Sequence, residues 1–527
     1  MLKPYLDHEM QESSSGISTL PTEILITILD DCPDIAPDGP DFQSANFLCY
    51  VRLSHVCQRW RDILLDRPQY WSHIVLSKPR WAEEMLVRSE TAPLTVGLNF
   101  GAASESPETA AVRTLLFEQF HRVKEIHIKL GLYNDGPAPI FAHPAPMLER
   151  LHIRMEPNYI YGLREDSFSG EAPRLRHLSL HHCLLPKECR SLWRGLTSLE
   201  LTGIAHEIYA PILELLVFLR DNTPHLRALL LNKILVPLEP ESGYAPATIR
   251  NPIRLERLKE LTLRPNNWSC TAFLRCVALP KMRQLVVEIC PGDPDERGIW
   301  EALDRVGGAD KICSLELRDS ILPGEGNYGD DQIVFEIRLG RATDWEPETS
   351  TPEFRVTARF VPTTVDRRRE HWREKLIIAM LSHRHSRSSE HTQLTTLIVA
   401  CDDLDWPVTG LLLQQSICNM AFYRSPSMFL VALAAVSADS RPDLDKRPLL
   451  GLKRLAFVGI VLRTNQIQNA FFAWLSQRKL LGLPLEELHF DYCASENGAP
   501  CPPVEARPAL TKLVQVGRSV ILEYQCQ

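Results

Sequence analysis

The 527-residue chain has no uninterrupted apolar run long enough to span a bilayer, which argues against a membrane helix. It has 14 cysteines but no C-x-x-C pair, so zinc-finger and thioredoxin-type spacings are absent. It also has no G-x-S-x-G, no H-E-x-x-H and no P-loop, the short signatures of serine hydrolases, zinc proteases and nucleotide-binding enzymes. Positive charge is not in excess. Against 66 acidic residues stand 58 basic ones, and a net charge of −8 argues against a nucleic-acid binder. The opening Met1-Leu2-Lys3-Pro4-Tyr5-Leu6-Asp7 lacks an apolar signal core, and residues 1–16 are expected to form a loose polar tail. Several cysteines (Cys49, Cys276, Cys290, Cys313) sit in apolar runs as small hydrophobes, which fits a reducing compartment.

What is present begins at Leu20-Pro21-Thr22-Glu23-Ile24-Leu25. Pro21 suits a first helical turn, where its missing N–H costs nothing, and Glu23 complements the helix N-terminus. Ile24, Leu25, Ile28 and Leu29 recur at helical spacing, and Phe47, Leu48, Val51, Val56 and Trp60 predict a second helix or a bent pair. So small a module cannot bury all of these side chains by itself, so the surplus apolar face reads as a docking surface.

The same stretch continues through Leu53-Ser54-His55-Val56-Cys57-Gln58-Arg59-Trp60-Arg61-Asp62 and Trp71-Ser72-His73-Ile74, with Arg88-Ser89 and Ala92-Pro93-Leu94 beyond. In order and spacing it resembles an F-box, specifically that of F-box proteins from mushroom-forming fungi. The resemblance covers about the first fifth of the chain in detail. It implies an F-box over residues 17–77 and a connecting region over 78–120. Leu20, Pro21, Ile24, Leu25, Ile28, Val56 and Trp60 become adaptor-contacting positions. A Pro- and Asp-rich insert, Cys32-Pro33-Asp34 to Pro40-Asp41, departs from the pattern and reads as a loop.

From residue 121 onward one frame recurs: apolar, two variable, apolar, one variable, apolar. Its copies are Val123/Ile126/Ile128, Leu148/Leu151/Ile153, Leu175/Leu178/Leu180, Leu196/Leu199/Leu201, Leu226/Leu229/Leu231 and Leu258/Leu261/Leu263. Met282/Leu285/Val287, Ile312/Leu315/Leu317, Leu394/Leu397/Val399, Leu452/Leu455/Phe457 and Leu485/Leu488/Phe490 follow. The frame is that of a leucine-rich repeat, with one short strand per copy. Segments between copies, such as Pro211 to Arg220, carry a helical pattern, so the expectation is a parallel sheet backed by helices. Between about 320 and 390 the frame breaks. Residues 331–337 and 354–360 alternate with period 2 and read as an inserted hairpin. A helix carrying Trp372, Leu376 and Met380 is expected after Asp366. The predicted fold is therefore α+β: an all-helical N-terminal module, then an irregular leucine-rich-repeat-like α/β solenoid over residues 121–527.

No catalytic, cofactor-binding or metal site is predicted. Gly324-Glu325-Gly326-Asn327-Tyr328-Gly329 matches a dinucleotide-binding pattern but is followed by a strand-like run, not by the required helix. His181, His182, Cys183 and Cys189 lack zinc spacing, and Asp402, Asp403 and Asp405 read as a solvated turn. Read through three successive frames, the strand face opposite the leucines carries Glu125, His127 and Lys129, then Arg150, His152 and Arg154, then His177, Ser179 and His181. Lys129, Arg150, His152, Arg154, His177 and His181 are the candidate substrate-binding residues. They suit an acidic or phosphorylated segment, and the histidines are expected to strengthen it as pH falls toward about 6.5. The resemblance implies a non-catalytic substrate-recognition subunit of a Skp–cullin–F-box ubiquitin ligase, cytoplasmic or nuclear, with a Skp-type adaptor, cullin and a protein substrate as partners. An adaptor-bound scaffold outside the ligase, or an enzyme with an unrecognised site, are the alternatives.

Overall fold

A computed structural model describes residues 20–31, 49–100, 106–131, 139–155, 163–183, 189–203, 212–232, 252–264, 269–289, 314–322, 332–340, 355–360, 394–401, 417–423, 451–458, 473–476, 478–483, 485–491 and 519–523, together with 300, 377, 378, 380, 381, 412 and 449. Several sequence expectations lie outside these residues. They are the tail at 1–16, the Pro- and Asp-rich insert, Phe47, Leu48, the glycine-rich loop at 324–329, Trp372, Leu376 and the Asp402–Asp405 turn. The chain combines helices with a large, mostly parallel set of strands, an α+β composition divided into two compact units, residues 1–196 and 197–527. Among the described residues no helix is long and apolar enough to cross a membrane.

The first unit opens with α1 (Thr22–Asp30), entered at Pro21 with Glu23 in its first turn, and continues with α2 (Cys49–Leu53) and α3 (Gln58–Leu65). The second apolar series is thus a bent pair. Polar ties crossing long sequence separations hold these helices together. The Arg59 guanidinium donates to the Leu20 carbonyl at 2.6 Å, and the Tyr70 hydroxyl donates to Asp30 at 2.6 Å. The Trp71 indole N–H donates to the Leu64 carbonyl at 2.8 Å, while the Arg88 guanidinium lies 4.4 Å from the Trp71 ring centroid.

Five parallel strands follow in chain order: β1 (His73–Val75), β2 (Leu94–Asn99), β3 (Val123–Leu130), β4 (Arg150–Met155) and β5 (His177–His181). Helices α4 (Pro79–Arg88) and α5 (Pro107–Glu118) occupy the first two crossovers and pack on each other; α6 (Arg190–Trp193) follows β5. The strand array therefore starts two strands before the first frame copy. β2 announces itself only by alternation (Leu94, Val96 and Leu98, all buried), and β1 has three residues, too few to show a period.

In the second unit the strands are β6 (Ser198–Thr202), β7 (Ala228–Asn232), β8 (Ile253–Arg254), β9 (Glu260–Arg264), β10 (Val277–Ala278), β11 (Gln284–Ile289), β12 (Ser314–Leu322), β13 (Gln332–Gly340), β14 (Arg355–Phe360), β15 (Thr396–Ala400), β16 (Asn419–Phe422), β17 (Arg454–Val458), β18 (Glu487–Asp491) and β19 (Ser519–Glu523). Helices α7 (Ile212–Asn222) and α8 (Ser269–Cys276) lie between them in sequence, α7 at the place its periodicity predicts. The spatial order is β6-β7-β9-β11-β14-β13-β12-β15-β16-β17-β18-β19, with β8 and β10 a separate parallel pair.

The expected hairpin is present as β13–β14, antiparallel, with Phe335 opposite Phe360. It does not project from the sheet. β14 pairs in parallel with β11 and β13 pairs antiparallel with β12, so the insertion separates two strands whose frames are successive in sequence. Residues 377, 378, 380 and 381 are helical, with Met380 buried. Frame residues described in both units are buried, from Ile126, Leu151 and Leu178 to Leu261, Leu397, Leu455 and Leu488. At about 25 cal/mol per Å2 of apolar surface, these ladders are the main source of stability in each unit.

Candidate functional site

Register decides what the open face of the first unit carries. The buried row Ile74–Val96–Ile126–Leu151–Leu178 fixes the pleat, so the residues on either side of it point the other way. One flanking row reads His73, Thr95, Glu125, Arg150, His177; the other reads Val75, Gly97, His127, His152, Ser179. A third row, two residues further along, reads Asn99, Lys129, Arg154, His181. The register shift between Leu94 and Thr95 sets Thr95 opposite Glu125, and Gly97 leaves the position beside His127 without a side chain.

Glu125 is the centre of the face, 7% exposed. Its Oε1 accepts from the His127 ring at 2.8 Å and lies 3.9 Å from Nε2 of His152, while its Oε2 accepts from the Arg150 guanidinium at 3.2 Å. An ionised carboxylate is acceptor-only, so His127 carries its proton on Nε2. The His127 and His152 rings stack, 4.4 Å between centroids and 3° from parallel. Glu125, His127 and His152 form a cluster whose ligand-capable atoms all lie within 4.8 Å of one another.

Burial alone would push the Glu125 carboxyl up. The hydrogen bond from His127 and the charges of His127 and Arg150 hold it below the ordinary value. His152 is pushed down to about 4, first by burial and then by the charge of His127. His177 is lowered by burial and by Arg150, and His73, whose buried Nδ1 has no hydrogen-bond partner among the described residues, is lowered by burial above all.

The six candidate substrate-binding residues thus share one face on β3, β4 and β5, as adjacent strands place them. Two features differ from the sequence expectation. Arg150 is partly neutralised by a buried glutamate; His152, pushed down to about 4 by burial and the charge of His127, stays neutral near pH 6.5, and burial and Arg150 lower His177 as well. His181 is tied to Ser179 at 3.0 Å, and the Cys183 and Cys189 thiols donate to backbone carbonyls, so the His-His-Cys run is taken up by packing. The Glu-His-His cluster was legible as three face residues. Its convergence was not, because that depends on the β3–β4 register.

Among the adaptor candidates, Ile24 is 47% exposed, Ile28 39% and Val56 60%; Pro21 is exposed and Leu20 half-buried. Leu25 and Trp60 are buried within the chain. No known protein-family model matches this sequence, and no curated protein matches it either.

Proposed function

We propose that this chain is a substrate-recognition subunit of a Skp–cullin–F-box ubiquitin ligase, working in the cytoplasm or nucleus. The F-box-like motif at 20–71 supports this reading. The observation that carries it is the split within α1, where Leu25 and Leu29 are buried but Ile24 and Ile28 remain on the surface, with Val56 exposed ahead of α3. Apolar side chains left exposed on a small helical module suit a helical partner, and the motif names that partner as a Skp-type adaptor. Such a receptor performs no chemistry. It raises the effective concentration of a substrate lysine beside a charged ubiquitin-conjugating enzyme. The cationic and histidine-bearing face of β3–β5 is the substrate surface in this reading, suited to an acidic or phosphorylated segment.

The test is co-purification with a Skp-type adaptor and cullin. Ile24→Asp with Ile28→Asp changes exposed positions and is expected to abolish adaptor capture while the melting profile persists. Unchanged capture would refute the assignment. Adaptor without cullin would replace the ligase with an adaptor-bound scaffold. In a second arm, Arg150→Glu with Arg154→Glu should reduce substrate capture most at low salt; capture unaffected at any salt would place the substrate surface elsewhere.

A further inference from the structure

We infer that Glu125, His127 and His152 form a site for one zinc-class divalent ion on the open face of β3 and β4. The donor set is two imidazole nitrogens and one carboxylate oxygen, a combination suited to Zn2+ and its neighbours in the first transition row. Bonds of about 2.0–2.2 Å in a tetrahedral arrangement place ligand atoms about 3.3–3.5 Å apart. The separations from Oε1 of Glu125, 2.8 Å to His127 and 3.9 Å to His152, straddle that spacing. The two rings are parallel neighbours, so a shared ion requires their planes to tilt toward each other. His152, with a third of its side chain exposed, has room to turn.

The two carboxylate oxygens have different partners. Oε2 faces Arg150, which is sufficient to neutralise a buried glutamate. Oε1 faces both imidazoles, and this second convergence is what a doubly charged ion uses. Arg150 then serves as the outer partner that orients the carboxylate. On binding, the ion takes the place of the proton between His127 Nε2 and Oε1; the charged ring gives that proton up to solvent and keeps the one on Nδ1. Three protein ligands leave a fourth position, and His152, the most exposed of the three, sets it toward solvent. The inference does not rest on adaptor binding, since the three residues lie outside the helical module.

The experiment is titration of the purified full chain with ZnCl2 against a chromophoric chelator, with circular dichroism as the fold control. Expected are one chelator-competing ion per chain and a loss in His152→Gln exceeding the roughly 10- to 100-fold typical of changes to outer partners. His225→Gln, a histidine outside the first unit, should leave the site intact. Zinc should also protect His127 and His152 of the unmodified chain from diethylpyrocarbonate, read by peptide mass spectrometry, a measurement that needs no variant. Cobalt should give a nitrogen- and oxygen-ligand spectrum. No uptake by the wild-type chain, equal uptake by His152→Gln, a cobalt–thiolate band or absent protection would each overturn the inference.

Discussion

The β3–β5 face of the first unit and the β6–β11 face of the second are built on the same apolar frame and carry different chemistry, the one cationic and the other mostly neutral. On β3–β5 seven of nine face positions are cationic or histidine: His127, Lys129, Arg150, His152, Arg154, His177 and His181. On β6, β7, β9 and β11 the equivalent rows read Ser198, Ala228, Glu260, Gln284, then Glu200, Leu230, Thr262, Val286, then Thr202, Asn232, Arg264, Glu288. Arg264 there is held against Glu288 at 3.0 Å. Behind both faces stand interchangeable leucines. Period-2 geometry separates the two sets completely, so the frame builds the scaffold and leaves the face free to vary. Function in such a chain is to be sought in the variable rows, one unit at a time.

The largest expected effect tests that separation. Leu178→Asp, at a position 1% exposed, places an unpaired charge in the first unit's ladder and should cost roughly 3 kcal/mol or more. The adjacent His177→Asp faces outward beside Arg150 and should change stability by less than about 1 kcal/mol. Leu261→Asp and Thr262→Asp repeat the contrast in the second unit, where Leu261 is fully buried and Thr262 is not. Urea unfolding followed by circular dichroism measures all four. If the members of either pair proved equally disruptive, the two-sided description of the strands would fail.

A middle-sized effect concerns a device the two units share. In the first, the buried Arg122 guanidinium donates to the Ala92 carbonyl at 2.5 Å and to Ser89 Oγ at 2.9 Å. In the second, buried Arg478 donates to the carbonyls of Leu449 and Leu452 at 2.5 and 2.7 Å. Burial holds the Arg478 pKa down to about 10, which leaves it charged at neutral pH. Each pins the chain that leads into a strand. Arg122→Met and Arg478→Met strand those acceptors and should each cost about 2–3 kcal/mol. Lysine should rescue poorly, because one ammonium does not reproduce the two-pronged geometry. Calorimetry of each variant and its lysine counterpart checks this. Full rescue by lysine would reduce the device to simple charge.

How much of this was legible depended on whether a feature is local. The last two residues of every copy of the apolar frame lie on a strand because alternation is a local property. A further copy, Ile417/Met420/Phe422, is absent from the series above and supplies β16. Strand β1 is too short to show a period, and β2 shows only alternation without the frame. In α1, periodicity picked out Ile24, Leu25, Ile28 and Leu29 together; which pair faces inward depends on Tyr50, Tyr70 and Arg59, more than twenty residues away. The place of β13 and β14 between β11 and β12, and the meeting of Glu125 with His152, are likewise matters of register across loops, which no single segment encodes.

The smallest effect expected is a gain. β9 and β11 repeat the β3–β4 arrangement in register: Glu260 opposite Gln284, Leu261 opposite Leu285, Thr262 opposite Val286. Glu260 therefore stands where Glu125 stands, and Thr262 and Val286 where His127 and His152 stand. Thr262→His with Val286→His moves the Glu-His-His set onto the β9–β11 face of the second unit. Two things would still differ. Glu260 is exposed where Glu125 is buried, and Gln284 takes the place of Arg150, so the carboxylate lacks both its low-dielectric setting and its orienting cation. A solvated carboxylate binds an ion less tightly because water competes for both, and a missing outer partner costs roughly tenfold or more. Made in a His152→Gln background, the double variant should regain zinc uptake at an affinity at least about tenfold below the native site, measured by the same chelator competition. Affinity equal to the native site would mean that register alone makes the site. No uptake at all would mean that the buried glutamate and its arginine are the larger part of it.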